Sequence, residues 1–227
     1  MPVAIITGAS RGLGLAIAKG LAGEGWRLVV DARDAGALAG AVAELPGVTA
    51  LAGDVTDPGH RAALVRAADE LGGVDLLVNN AGILGPSPQP RLADYPLDVL
   101  RAVFEVNVVG PIGLLQWALP SLRERGGAIV NVTSDAAVEA YEGWGGYGSA
   151  KAAVEQASRI LAAEEPSVRV WWVDPGDLRT RMHQEAFPGE DISDRPLPDT
   201  AVPAFLHLLR TRPESGRVRL SELAVPA

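Results

Sequence analysis

The sequence contains no cysteine, and only Lys19 and Lys151 among its 20 basic residues are lysines. The first absence excludes disulfides, thiolate catalysis and cysteine-based zinc sites. The three histidines, His60, His183 and His207, have no ligand-like spacing, so surface or capping roles are expected for them and no metal site. Positive charge is scarce overall. Against 28 acidic residues it leaves a net charge of −8, which argues against nucleic acid or an anionic membrane as the main partner. Long apolar runs are missing too: the stretches 1–6 and 163–175 are short and interrupted, so no membrane span is expected. The chain opens almost directly on Val3-Ala4-Ile5-Ile6 without a visible signal-peptide pattern, and a cytoplasmic location is expected.

What is present is a regular alternation. At 227 residues the chain is expected to form one domain, 1–227, around a single core. Short apolar runs at 3–6, 27–30, 48–52, 74–78, 127–132 and 168–173 read as strands buried on both faces. Helical patterns fall between them near 12–24, 34–44, 58–71, 97–125 and 147–164. The alternation predicts an α/β fold: a doubly wound parallel sheet of the Rossmann type in three layers. Such sheets place ligands at the carboxyl ends of their strands. The segment 182–203 carries Pro188, Gly189, Pro196, Pro198 and Pro203 and reads as a long mobile loop, a candidate substrate lid.

Two elements carry chemistry. The first is the turn Thr7-Gly8-Ala9-Ser10-Arg11-Gly12-Leu13-Gly14 between the first strand and the first helix. Glycines there permit a tight turn and close approach of backbone to a diphosphate, with the helix N-terminus aimed at the anion. The tip of the second strand, Asp31-Ala32-Arg33-Asp34, then bears on which dinucleotide is held. An acid would bind the ribose 2′-hydroxyl of NAD, whereas an arginine would bind the 2′-phosphate of NADP. With Ala32 at the acid's position, Arg33 faces the ribose and Arg11 reaches the same phosphate, which favours NADP over NAD. A slip of one residue would bring Asp31 or Asp34 into play.

The second element is Tyr147-Gly148-Ser149-Ala150-Lys151, thirteen residues after Ser134. A free tyrosine titrates near 10, too high for efficient proton transfer at neutrality. An ammonium about 4 Å away contributes on the order of 4 kcal/mol at an effective dielectric of 20, or roughly three pKa units downward. Spacing i, i+4 stacks Tyr147 and Lys151 on one helical face. Ser134 closes a strand, where its hydroxyl can orient a carbonyl.

Together these residues resemble the classical branch of the short-chain dehydrogenase/reductase family, over residues 3 to about 182. Seven motifs occur in the family's order. Thr7-Gly8, Gly12 and Gly14 match its cofactor turn, with Ser10, Arg11 and Leu13 inside it. Asp54-Val55 matches the adenine-contacting pair, and Asn80-Ala81-Gly82, after Asn79, the sheet-stabilising motif beside the cofactor. Asn107 matches the asparagine whose helix distortion holds a relay water. Ser134, Tyr147 and Lys151 match the rest of the catalytic tetrad. Pro175-Gly176, Leu178 and Thr180 match the segment beside the nicotinamide amide.

The resemblance implies hydride transfer between a nicotinamide and a carbonyl or alcohol carbon. Tyr147 is the proton donor, Ser134 orients the oxygen, and Lys151 lowers the tyrosine pKa and holds the nicotinamide ribose. It implies a small-molecule carbonyl or alcohol substrate, within a pocket bounded by 84–96, 135–146 and 182–200, with Tyr141 and Trp144 as its aromatic wall. The acidic edge of Asp135, Glu139 and Glu142 disfavours strongly anionic substrates. Two departures stand out. Ala150 replaces the family's usual serine, and the C-terminus lacks the glycine-ended closing strand. The second points to a homodimer through helices near 98–125 and 147–164 rather than the usual homotetramer. An NADP-binding regulatory protein without turnover is the alternative, and an extended-branch epimerase a further one that the glycine spacing disfavours.

Overall fold

A computed structural model describes residues 1–223. Its centre is a seven-stranded sheet in the order β3-β2-β1-β4-β5-β6-β7, parallel throughout. The strands are β1 (Val3–Ile6), β2 (Arg27–Ala32), β3 (Val48–Ala52), β4 (Leu76–Asn79), β5 (Ala128–Val132), β6 (Arg169–Asp174) and β7 (Gly216–Arg219). Strand residues alternate between two helical layers. Ile6, Val30, Val78, Val130 and Trp171 pack with α1 (Gly12–Gly23), α2 (Ala35–Val42) and α8 (Val202–Thr211). Ile5, Val29, Leu77, Ile129 and Val170 pack with α3 (Pro58–Glu70), α5 (Gly110–Arg125) and α6 (Gly145–Glu164). Both faces are dry, which is why these strands read as continuous apolar runs.

The closing strand corrects one expectation. β7 pairs with β6 from Trp171↔Gly216 to Asp174↔Arg219, so the sheet does have a seventh strand. Its alternation Arg217, Val218, Arg219 hides it, because a single apolar side chain reaches the core. The rest of the expected strandless end, Ala224 to Ala227, lies outside the described residues.

The segment after β6 is also more ordered than a loop. Thr180 caps α7 (Arg181–Ala186), accepting the His183 N–H at 3.1 Å. Pro198–Ala201 forms a 3-10 turn leading into α8. Pro203, counted with the loop-like segment, sits in the first turn of α8, where its missing N–H costs nothing.

Helix α4 (Leu97–Phe104) continues through a π turn, Glu105–Val109, into α5. Pro111 has no N–H for the Asn107 carbonyl four residues back, and the helix widens there. As one 29-residue helix, Leu97–Arg125 has a mean hydropathy of 1.4 over its most apolar window, long and apolar enough to cross a membrane by composition alone. Arg101, Glu105 and Asn107 interrupt its apolar pattern, so it does not stand out as an unbroken run. In the fold its inner residues Val103, Leu114, Ala118 and Leu122 are fully buried. Helix α6 starts at Gly145, two residues earlier than expected, and runs to Glu164.

Candidate active site

The order of strands reverses between β1 and β4, and the crevice beyond their carboxyl ends is where such sheets take ligands. Gly8 and Gly12 adopt φ of 69° and 58°, which glycine alone holds without strain. A Cβ on Gly8 would stand 2.9 Å from the Ala81 Cα, and one on Gly14 would drive into the Gly8 carbonyl and the Asn80 amide. The Thr7 hydroxyl accepts the N–H groups of Asn80 at 3.0 Å and Ala81 at 2.9 Å, while Asn80 Nδ2 donates to the Thr7 carbonyl at 2.8 Å. The turn is thereby stitched to the end of β4. Helix α1 has no side-chain cap and no acid in its first turn. Its N-terminal N–H groups and dipole therefore remain available to an anion, and the turn fits a diphosphate.

At the tip of β2 both acids are engaged. Asp31 is buried; its Oδ1 accepts the Gly8 N–H at 2.8 Å and its Oδ2 lies 3.0 Å from His60 Nε2. Asp34 caps α2 through the Ala37 N–H at 2.9 Å. Arg33 and Arg11 are exposed at the cavity edge. His60 thus departs from its expected surface role: it is a buried partner of Asp31, a pairing across 29 residues that motif spacing does not reveal. Asp54 accepts the Thr56 N–H at 2.9 Å and its hydroxyl at 2.8 Å. Burial would raise its carboxyl, but these bonds and the Arg33 and His60 charges hold it below the usual value.

Ser134, Tyr147 and Lys151 meet at the other end of one cavity of about 1020 Å³. The Ser134 hydroxyl donates to Asp135 Oδ1 at 2.8 Å. Lys151 Nζ donates to the Val132 carbonyl at 2.7 Å and lies 5.5 Å from the centre of the Tyr147 ring. Burial pushes the Tyr147 phenol well up, with the Asp135 and Asp174 carboxylates adding to the shift. Burial also pushes the Lys151 ammonium down to about 8. The net shift of the phenol is thus upward, where the i, i+4 pair was expected to bring it down: burial dominates at both groups, and Nζ is turned to the Val132 carbonyl over the ring.

Asn107 and Gly14 lie behind the cavity wall rather than on it. Asn107 is buried in the π turn, its Oδ1 accepting the Ile83 N–H at 2.9 Å and its Nδ2 donating to the Ile83 carbonyl at 2.8 Å. A Cβ on Gly82 would strike Asn107 Oδ1 and approach Lys151 Nζ, so Gly82 is the contact that joins the two. The other residues assigned to the cofactor all line the cavity: Ser10, Leu13, Val55, Asn80 to Gly82 and Pro175, Gly176, Leu178 and Thr180 among them. Trp144 lines it too and stacks edge-on against Tyr147 at 6.0 Å. Tyr141 does not. It is exposed, and its hydroxyl donates to Asp135 Oδ2 at 3.0 Å. Within the expected 182–200 boundary, α7 contributes Met182, His183 and Ala186, with Phe187 packed on both His183 and Trp144, while Val99 and Val106 of the long helix line the cavity outside every expected segment.

The family model described as short chain dehydrogenase matches residues 2–191. The chain belongs to that family. Among curated relatives it is 32% identical to a serine 3-dehydrogenase of Rhizobium radiobacter over 96% of this chain and 92% of the relative. It is 36% identical to a 1-deoxy-11-beta-hydroxypentalenate dehydrogenase of Streptomyces arenae over 79% of this chain and 68% of that one. Among solved structures, an alcohol dehydrogenase of Thermococcus sibiricus complexed with 5-hydroxy-NADP superposes with a TM-score of 0.87 at 31% identity, covering 100% and 99% of the two chains. A short chain dehydrogenase of Shigella flexneri complexed with NADP superposes at 0.86 with 26% identity, covering 97% of each. This short-chain dehydrogenase is therefore a Rossmann-type oxidoreductase of a nucleotide-binding family.

Proposed function

We propose that this short-chain dehydrogenase is an NADP-dependent oxidoreductase acting on a carbonyl or secondary alcohol of a small substrate, with Tyr147 as general acid/base. One observation carries the reading. A single cavity joins an uncapped helix N-terminus and two exposed arginines at one end to Ser134, Tyr147 and Lys151 at the other. When bound, the nicotinamide supplies or accepts the hydride. Arg33 and Arg11 hold the 2′-phosphate, and Gly8 to Gly14 take the diphosphate. Pro175 to Thr180 flank the nicotinamide side, and Lys151 holds the ribose next to it. Tyr147 gives a proton to the developing alkoxide, and its raised pKa keeps the hydroxyl protonated near neutrality. Ser134 orients the oxygen, and Asn107 sits in the relay behind Lys151.

Trp144, Met182 and Ala186 favour a substrate with an apolar body, and α7 with the 182–203 segment acts as its lid over a single domain. The apolar residues Val109, Ile112 and Trp117 of the long helix and Ile160 of α6 are exposed. They support a homodimer through these helices, in a cytoplasmic protein. The intact tetrad speaks against the regulatory alternative. The test is consumption of NADPH, with NADH alongside, against aldehydes, ketones, diketones and quinones. NADPH-dependent turnover of any carbonyl is expected. A protein that binds NADPH and turns over none of them would favour the regulatory reading.

A further inference from the structure

At the catalytic end of the cavity, reaching its lining at Asp174, lies a buried ionic cluster that belongs to none of the family motifs quoted above. Glu155, one helical turn beyond Lys151 on α6, is 2% exposed, and Asp174, immediately before Pro175, is 5% exposed. Between them lies Arg217 of β7. Its Nε donates to Glu155 Oε1 at 2.9 Å, and its Nη2 donates to Asp174 Oδ2 at 3.0 Å and to the Ser134 carbonyl at 3.2 Å. Further bonds run from these carboxylates into the site. The Thr133 hydroxyl donates to the same Glu155 oxygen at 3.0 Å, and Asp174 Oδ1 accepts the Gly176 N–H at 3.0 Å. Arg159 and Arg219 approach the two carboxylates from outside, at 3.5 and 3.6 Å.

Two buried carboxylates need a cation and several donors at once. A guanidinium presents a rigid planar fork that can serve both and still reach a carbonyl; an ammonium is a point charge on a flexible stem. The three groups bound by Arg217 are the main chain of Ser134, the turn of α6 below Lys151, and the strand end that leads into Gly176. Each carries or adjoins a different part of the proposed site.

We infer that Arg217 is a positioning residue, through which β7 fixes the catalytic serine and the nicotinamide-side turn in one geometry. The inference rests on the proposed function for its kinetic readout only. Its effect should fall on the nicotinamide half of the site. The adenosine half, around Arg33 and Asp54, lies across the sheet from β7.

The experiment compares Arg217→Lys, Arg217→Met and the triple variant Arg217→Met/Glu155→Gln/Asp174→Asn, which removes the buried charges together and so protects folding. For each, melting temperature, affinity for NADPH, affinity for the adenosine-side probe 2′,5′-ADP, and kcat and KM are measured. In the triple variant kcat should fall about tenfold or more, as expected when reacting groups are misplaced by a fraction of an ångström. NADPH affinity should weaken by roughly fivefold while 2′,5′-ADP affinity stays within about twofold, since only one half of the site is loosened. Arg217→Lys should restore part of both losses. A folded triple variant with unchanged NADPH affinity and kcat would overturn the inference. So would equal losses for NADPH and 2′,5′-ADP, the mark of general destabilisation. If the wild-type protein reduces no carbonyl, the proposed function fails, and the split between NADPH and 2′,5′-ADP still decides the role of Arg217.

Discussion

The Ser134 hydroxyl points its proton at the carboxylate of its own neighbour, Asp135, at 2.8 Å. Tyr141 holds the other oxygen of that carboxylate at 3.0 Å, so Asp135 is fixed beside the serine rather than free in solvent. The same charge adds to burial in pushing the Tyr147 phenol up. Removing it should ease formation of the phenolate. In alcohol oxidation, where the phenolate is the base, Asp135→Asn should move the ascending limb of the pH–rate profile to lower pH by roughly half a unit to one unit. An unmoved limb, or one displaced upward, would show that Asp135 does not act on Tyr147.

Tyr147→Phe keeps the ring that packs against Trp144 and removes only the hydroxyl. Turnover should fall by about a thousandfold or more, the scale of a lost general acid. NADPH affinity should change little, because the diphosphate turn and Arg33 are untouched. Retained activity with lost binding would sink the catalytic assignment.

Lys151 is a buried cation whose pKa in the fold, about 8, lies below its ordinary value of 10.5. The unfolded chain therefore binds the proton more tightly, and the cost of burying the charge is fully present below pH 8. It declines as pH rises from about 8 towards 10.5. Lys151→Met should abolish turnover yet melt at a higher temperature than wild type near pH 7, after allowance for the lost bond to the Val132 carbonyl. The difference should shrink by pH 10, because only the wild type gains from deprotonation. A gap in melting temperature that is constant across this range would contradict the burial argument.

The motifs and the strand–helix alternation were legible because they are local. Glycine spacing, the i, i+4 pair and apolar strands buried on both faces each repeat over a few residues. What was not legible depends on distance or on context. The seventh strand buries only Val218 between two arginines, so its pattern carries no apolar run. Pro203, grouped with the proline-rich segment before it, lies in the first turn of a helix. His60 finds Asp31 across 29 residues, and Arg217 finds Glu155 across 62. The pKa relation of Tyr147 and Lys151 could be placed on one helical face from spacing. Its sign could not, because desolvation depends on everything packed around the pair.

Trp117 is 55% exposed on α5, and Val109 and Ile112 of the same long helix are 46% and 36% exposed. A single large apolar side chain on a surface is ordinary, but this group shares one long helix, and Ile160 adds to it from α6. Trp117→Glu should leave the melting temperature of the monomer fold nearly unchanged and shift sedimentation from dimer to monomer. A wild-type protein that sediments as a monomer would remove the dimer proposal.

Cofactor choice turns on which β2 side chains are free. Asp31 is committed through both oxygens, to the Gly8 N–H and His60, and one oxygen of Asp34 caps the first turn of α2. Arg33 has no such duty and stands exposed at the cavity edge. Arg33→Asp exchanges a phosphate-matching fork for a charge that repels it. The ratio of kcat/KM with NADPH to that with NADH should fall by about a hundredfold, the sum of a lost charge-assisted bond and a gained repulsion. Parallel titrations with 2′,5′-ADP should lose affinity in the same proportion, separating cofactor binding from chemistry. An unchanged ratio would mean that the 2′-phosphate is read by Arg11 alone, and that the strand tip faces elsewhere.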